Sequence, residues 1–293
     1  MQASMWTAYL VEQLPREAIK TFYDHGWRCV ELGEEHAHDL LKEGDPLKVG
    51  AEFRKYINDL GVDIPQGHFF MLNKGCRPED LEGRRLQDMS PAKDVELAAS
   101  VDFMKRWIDL FNAIGIKAGV YHIGGFSLAK ARWSKKRIFE RRVRALQQVA
   151  EYAKGGPTQI CLENMTRKGD GGTVAELKEF LFAVGSDCLA ICLDTGHANI
   201  AGVDQAEFVQ EAQSDLRALH VADNLGHGDD HMLPYGRGTV KWTPFMQALR
   251  KTSFKGSFNF EVPGEIRCPE PVLLHKLDYA LELAKWMIDE DGA

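Results

Sequence analysis

The feature that most constrains the fold is a repeated alternation along the chain. Short β-rich apolar segments alternate with longer amphipathic stretches of helical period, which is typical of parallel strands joined by crossover helices. The strand segments are 4–10, 27–32, 62–68, 117–123, 159–164, 189–194, 218–223 and 257–262. Eight such units are the number that closes into a barrel, so the sequence predicts an α/β fold of the (β/α)8 type.

The chain length agrees with one barrel. The chain has 293 residues, and (β/α)8 barrels of ~250 residues and more are common as one unit. No long internal repeat, low-complexity tract or linker-like change of composition appears. We therefore predict a single domain over 1–293. The irregular segment 71–95 follows the third strand and is expected to lie over the face formed by the strand ends.

Composition and charge narrow the class of protein. Apolar residues make up 44% and charged residues 27% of the chain, which is typical of a globular protein with a large core. The formal charge of −7 argues against nucleic acid as a partner, because phosphate binding needs clustered basic residues. The basic run over 135–144 is interpreted as the solvated face of an outer helix.

The start of the sequence, the apolar runs and the cysteines indicate where in the cell the protein is expected. The start, MQASMWTAYL, lacks the features of an export signal, and no later run reaches ~18 apolar residues, so no membrane partner is predicted. Cys161, Cys188 and Cys192 lie within apolar runs rather than in CxxC motifs. We interpret them as reduced, buried thiols and predict a cytoplasmic protein.

Titratable residues end most of the predicted strands, and hydrophobic burial does not explain such a choice. They are Glu31, His68, His122, Glu163, Asp194, His220 and Glu261. In a closed parallel barrel the carboxyl ends of the strands converge on one face, where enzymes of this architecture keep their active sites. Taken singly, a histidine in a strand is more often a hydrogen-bonded structural residue than a ligand, and a strand-terminal glutamate often caps a neighbouring helix or pairs with arginine.

The convergence of carboxylates predicts a cation. Glu163, Asp194 and Glu261 would repel one another at the face, and a divalent ion is one way to compensate that charge. Mixed Asp, Glu and His ligation without convergent cysteine suits Mn, Co, Mg, Zn or Fe better than a metal that selects thiolates. The sequence does not choose among these metals.

Five motifs carry a family resemblance. They are LEN at 162–164, CLDTGHA at 192–198, LHVADN at 219–224, HMLPYGRGTVKW at 231–242 and NFEV at 259–262. With them the chain resembles, over nearly its whole length, the xylose isomerase-like barrel superfamily, which includes ketose 3-epimerases, inosose dehydratases and endonuclease IV. The resemblance implies one divalent ion held by Glu163, Asp194, His220 and Glu261, and a homo-oligomeric assembly.

The resemblance also implies a reaction on a small carbohydrate. Glu163 and Glu261 match the two residues that exchange protons with carbons beside a carbonyl, through an enediolate, in sugar isomerases and epimerases. The residues expected to contact the substrate are His68, His122, His197, Asp229, His231 and Arg237. Trp6, Phe69, Phe70 and Tyr235 are candidates to stack on a sugar ring.

One position departs from the ketose 3-epimerase pattern. Those enzymes resemble one another in an arginine six residues after the strand-seven histidine, whereas this sequence has Gly226 there. His227 and Arg237 are the candidates to replace that arginine.

Other activities remain open. A lyase resembling inosose dehydratase would begin with the same proton abstraction.

The nine zinc ligands of endonuclease IV also match in type, at His68, His122, Glu163, Asp194, His197, His220, Asp229, His231 and Glu261. The loops after strands two and eight are rich in acidic residues, which would repel DNA phosphates and argue against the nuclease. A binding protein without catalysis would not need two carboxylates placed for proton transfer.

Overall fold

The structure is a computed structural model, and it describes residues 1–70, 88–125, 128–129, 131–265 and 267–290. The irregular segment predicted at 71–95 therefore lies mostly outside the described residues. Its described end differs from the prediction, because Asp94 already begins a helix.

Eight parallel strands form one sheet, as the alternation predicted. They are β1 (Gln2–Trp6), β2 (Cys29–Leu32), β3 (Asp63–His68), β4 (Ala118–Tyr121), β5 (Gln159–Glu163), β6 (Leu189–Asp194), β7 (Leu216–His220) and β8 (Ser257–Phe260). Each strand pairs with its neighbour in sequence, and β8 pairs with β1. Closure is completed beyond β7, where Val221 N donates to Asn259 O at 2.8 Å and Glu261 N donates to Val221 O at 3.2 Å. The (β/α)8 barrel is thus confirmed.

Helices follow the strands and cover the outside of the barrel. They are α1 (Pro15–Asp24), α2 (Glu34–Lys42), α3 (Pro46–Leu60), α4 (Asp94–Ile114), α5 (Lys135–Ala153), α6 (Val174–Val184), α7 (Thr195–Ala201), α8 (Gln205–Ala212), α9 (Trp242–Arg250) and α10 (Glu270–Asp289). Ser134 caps α5, since its side chain accepts from Arg137 N at 3.3 Å. Within the described ranges, no helix is both long and apolar enough to cross a membrane.

The first strand is shorter than predicted. Residues 7–10 form a 3-10 turn rather than the end of a strand. Every residue of that turn is buried, so the apolar run carries no periodicity that would have marked the change of conformation.

The basic run on α5 is only partly a solvated face. Arg141 is buried, and its Nε donates to Pro91 O at 2.6 Å. Arg142 is buried too, with Nε donating to Gly124 O at 2.9 Å and Nη1 lying 2.6 Å from Asp170 Oδ1. The interpretation was wrong for these two arginines, which fix the loops after β3, β4 and β5.

The side chains inside the barrel differ in polarity between its two halves. On β4 to β7 it is lined by small or apolar side chains, namely Ala118, Val120, Cys161, Ala190, Cys192 and Ala218. Buried polar side chains, namely Ser4, Glu31, Gln66 and Asn259, occur on β1, β2, β3 and β8. The thiols of Cys161 and Cys192 are free and buried, whereas Cys188 is half-buried.

Candidate metal centre on the carboxyl face of the barrel

The predicted strand-end residues do meet on one face. His68, Glu163, Asp194 and His220 are the last residues of β3, β5, β6 and β7. His122 and Glu261 follow β4 and β8 directly. All are buried except His122, whose side chain is 21% exposed.

Four of these residues form a compact group, called here the four-donor cluster: Glu163, Asp194, His220 and Glu261. Each offers one donor atom, and the four atoms all lie within 4.8 Å of one another. His220 Nδ1 lies 3.3 Å from Glu163 Oε1 and 3.3 Å from Glu261 Oε2.

The donors of this cluster fit a divalent cation. Asp194 Oδ2 and Glu261 Oε2 are buried and have no hydrogen-bond partner among the described residues. Leaving a buried polar atom unpaired costs about 1–3 kcal/mol, and more for a charged group. Three carboxylates and one imidazole are a donor set that Mn, Co, Mg or Zn accepts, and the ion would supply the missing partner.

A second group shares Glu163. His68, His122 and Glu163 also offer donor atoms within 4.8 Å of one another. Glu163 Oε2 lies 2.7 Å from His122 Nε2 and 3.4 Å from His68 Nε2. The Glu163 carboxylate therefore faces the four-donor cluster with Oε1 and the two histidines with Oε2.

A third group is formed by His197, Asp229 and His231, called here the loop triad. Asp229 Oδ2 lies 3.2 Å from His197 Nε2 and 3.3 Å from His231 Nε2. The triad touches the four-donor cluster twice, since His197 Nδ1 is 3.2 Å from Glu163 Oε1 and His231 Nδ1 is 3.5 Å from Glu261 Oε2. Five of the six residues predicted to contact substrate are thus brought together.

The sixth residue, Arg237, is not joined to these groups. It is exposed and makes no hydrogen bond or ion pair with the residues that the structure describes. His227 is exposed as well. Gly226 has φ +81°, a conformation that glycine adopts freely and an arginine would adopt only with strain.

Asp223 holds the loop that carries Asp229 and His231, and sequence reasoning missed it. Its carboxylate accepts from Val240 N at 3.1 Å and from Trp242 Nε1 at 2.9 Å. A Cβ on Gly238 would overlap this carboxylate. The signal was present in the sequence as an aspartate just past strand seven followed by a glycine-rich turn.

Asn164 joins the ends of β5 and β6. Its Oδ1 accepts from Asp194 N at 2.7 Å and its Nδ2 donates to Asp194 O at 3.0 Å. Asp194 Oδ1 accepts from His197 N at 2.6 Å, which caps α7. One carboxylate oxygen of Asp194 is therefore used within the protein, and the other faces the four-donor cluster.

Of the four aromatic candidates for sugar stacking, only Trp6 contacts these groups, with its ring stacked on His231 at a centroid distance of 6.5 Å. Phe69 stacks on Phe111 in the core. Phe70 packs edge-on against Trp107, and Tyr235 packs against Trp242 and Trp286.

Three histidines beside the carboxylates, His197, His220 and His231, have raised pKa values, whereas burial outweighs the effect of Glu163 and lowers the pKa of His122. Burial alone would lower the pKa of His220, but Glu261 and Glu31 raise it well above its ordinary value. In the same way Asp194 and Asp229 overcome burial and raise the pKa of His197 well above normal. The pKa of His231 rises to about 10, against the effect of burial, because of Asp229 and Glu261.

The two glutamates are shifted in opposite directions. Burial opposes ionisation of Glu163, but His122 and His220 hold its pKa well below the ordinary range. Burial raises the pKa of Glu261 well above that range, and His220 and His231 offset this only in part. Two neighbouring carboxyl groups whose pKa values are shifted apart are an arrangement used for acid–base catalysis.

Comparisons with known proteins identify the family and the fold. The sequence model of a family described as "Xylose isomerase-like TIM barrel" matches residues 19–289. A "Probable endonuclease 4" from Mesomycoplasma hyopneumoniae (strain J) is 30% identical over 206 residues, covering 66% of this chain and 70% of that protein. An "Uncharacterized protein y4fM" from Sinorhizobium fredii is 27% identical over 172 residues, covering 58% of this chain. The match spans 55% of that relative, so the chain covers about half of its length.

A solved structure shows the same fold. The D-psicose 3-epimerase from Clostridium cellulolyticum H10, solved with D-tagatose, superposes with a TM-score of 0.78 over 98% of this chain and 99% of the other. The two sequences are 17% identical, so the likeness supports the barrel and not by itself the activity.

Proposed function

The chain belongs to the xylose isomerase-like TIM barrel family, and from this premise we propose that it is a divalent-metal-dependent sugar isomerase or epimerase. The observation that carries the proposal is the buried pair Glu163 and Glu261, whose pKa values are shifted in opposite directions on either side of His220. Proton transfer next to a carbonyl needs one group that accepts a proton and one that donates it, and donor atoms of these two glutamates lie within 4.8 Å of each other. The proposed substrate class is a small carbohydrate with a carbonyl group.

Each residue has a proposed part in the reaction. The four-donor cluster would hold one ion of Mn, Co, Mg or Zn, and the bound ion would polarise the substrate carbonyl. Glu163 and Glu261 are the proposed proton-transfer pair, in which one glutamate removes a proton from the carbon beside the carbonyl and the other returns one to the substrate. His68, His122 and the loop triad orient substrate hydroxyl groups. If water leaves the deprotonated substrate instead, the same residues make the protein a lyase.

The test is exchange of substrate protons with solvent. Wild-type protein supplied with Mn²⁺ is incubated in deuterated water with a panel of ketoses and inososes, and deuterium beside the carbonyl is read by NMR. We expect Glu261→Gln to remain folded and to lose about 10²- to 10⁴-fold in exchange rate. The matched control is Glu265→Gln, four residues later, where the carboxylate is 65% exposed and pairs with Lys276. Undiminished exchange by Glu261→Gln would contradict the mechanism.

A second candidate, also proposed, is a metal-dependent DNA endonuclease. It is favoured by the way that His68 and His122 gather at Glu163 while the loop triad gathers beside Glu261. Three groups of donors could hold three ions rather than one, and a relative is named probable endonuclease 4. Elemental analysis separates the candidates, because about one Mn, Co or Mg per chain favours the sugar enzyme and about three Zn favour the nuclease. The second result calls for a cleavage assay on DNA with an abasic site.

Two further predictions from the sequence stand as proposals. We propose that residues 1–293 form one domain, since β8 pairs with β1 and so ties the two ends of the chain into the same sheet. We also propose a homo-oligomer, which light scattering on the purified protein tests directly.

A further inference from the structure

Glu31 is the one strand-end residue that has no role in the proposed site, although it is fully buried beside His220. Both side chains are fully buried. Glu31 Oε1 lies 3.0 Å from Nε2 of His220. It therefore contacts the ring nitrogen opposite the one that faces Glu163 and Glu261.

A hydrogen-bond chain fixes the Glu31 carboxylate in turn. Ser4 Oγ donates to Asn259 Oδ1 at 2.9 Å, so the Asn259 amide presents its NH₂ group to Glu31 Oε2. Ser4 and Asn259 are both buried. With Oε2 accepting from Asn259, and Oε1 facing the His220 ring, Glu31 acts as an acceptor at both oxygens.

These contacts determine which ring nitrogen of a neutral His220 carries the hydrogen. A neutral imidazole carries one N–H, and the other nitrogen offers a lone pair. A carboxylate acceptor at Nε2 favours the tautomer with its hydrogen there. When the ring is neutral, as a metal ligand must be, Nδ1 has the lone pair and faces the other donors of the four-donor cluster.

We propose that Glu31 is a positioning residue that selects the Nε2–H tautomer of His220 and thereby presents Nδ1 to a divalent ion. The inference rests on the proposed metal site, and it deepens that proposal by explaining a buried carboxylate that the site itself does not use. A carboxylate behind a ligating histidine fixes the ring orientation and makes the histidine a better ligand. Removing such a partner typically costs about 10- to 100-fold in metal affinity.

The experiment measures metal binding rather than turnover. Co²⁺ is titrated into metal-free wild-type protein, Glu31→Gln and Cys161→Ala, with a competing chelator. Cys161 is the control because it is fully buried in the same barrel interior and lies outside the Ser4–Asn259–Glu31–His220 chain. We expect Glu31→Gln to bind Co²⁺ about 10- to 100-fold more weakly, and Cys161→Ala to bind as the wild type does.

A second measurement does not depend on the variant folding. In ¹⁵N-labelled wild-type protein loaded with Zn²⁺, long-range imidazole spectra are expected to show His220 protonated at Nε2 and shifted by the metal at Nδ1. A hydrogen on Nδ1, or wild-type affinity in a folded Glu31→Gln, would overturn the inference while leaving the metal site standing. If the wild-type protein binds neither Co²⁺ nor Zn²⁺, the proposed metal site fails and this inference fails with it.

Discussion

Metal binding to this protein should release protons, and the number released reports how many ions bind. In the metal-free protein the pKa values of His220 and Glu261 are raised well above their ordinary values of 6.5 and 4.5. Both groups therefore hold their protons to a higher pH than free histidine and glutamic acid do, and the proton count applies below the raised pKa values. Ligation needs the Nδ1 lone pair of His220 and an ionised Glu261, so one ion in the four-donor cluster should displace about two protons.

The magnitude follows from linkage. Each displaced proton changes the binding free energy by about 1.4 kcal/mol per pH unit, so two protons give about 2.7 kcal/mol, or about a hundredfold in affinity. The sign is fixed, because protons compete with the ion and affinity falls as pH falls. The dependence flattens once the pH rises above the raised pKa values, where the ligands are already deprotonated.

Additional ions would raise the count. The pKa values of His197 and His231 are also raised, that of His231 to about 10. The pKa of Asp229 is lowered by these two histidines against the effect of burial, so this carboxylate has no proton to give. Ions bound by the loop triad as well should displace about four protons in total.

Calorimetry measures the count. Mn²⁺ or Zn²⁺ is titrated into metal-free protein at one pH in buffers of different ionisation enthalpy, and the slope of the observed heat gives the number of protons. Glu261→Gln is the internal control, since its amide has no proton to release and the count should fall by about one. Binding without proton release, or an affinity independent of pH, would refute the reasoning.

Two pairs of variants test how the loops are held. Gly238→Ala places a Cβ against the Asp223 carboxylate and should lower the free energy of unfolding by about 1–3 kcal/mol and reduce turnover. The control is Gly236→Ala, whose Cβ would have its nearest contact 3.4 Å away and should change neither quantity. Equal effects of the two variants in thermal melts would contradict this account. Arg142→Leu leaves buried loop groups without their donor and should cost about 1–3 kcal/mol in urea unfolding. The control is Arg144→Leu on the exposed face of the same helix, which should change the free energy of unfolding by no more than about 0.5 kcal/mol. Similar losses in the two variants would contradict the role given to Arg142.

The barrel and its converging residues could be predicted from the sequence because both depend on order along the chain. Strand ends in a closed parallel barrel share a face whatever the loops do, so Glu163, Asp194, His220 and Glu261 were placed together without any contact being known. Strand limits were less accurate where burial removes periodicity, as in the turn at 7–10.

Features that depend on contacts distant in sequence could not be predicted. Arg142 reads as a surface charge on an amphipathic helix, yet it reaches Gly124 and Asp170. Glu31 showed only that it ends a strand, because its partner His220 is 189 positions away. Neither pattern nor composition encodes such a pairing.

The bond between Asn164 and Asp194 has an evolutionary consequence. By exchanging two hydrogen bonds with the main chain of Asp194, the Asn164 side chain extends the strand ladder past the end of β5, and the spacing of Glu163 and Asp194 is set by the sheet rather than by the loops. Mutations can then change the length or the charge of the loops without moving Glu163 and Asp194 relative to each other. A lineage with this device can acquire new substrates while its inner chemistry is inherited unchanged.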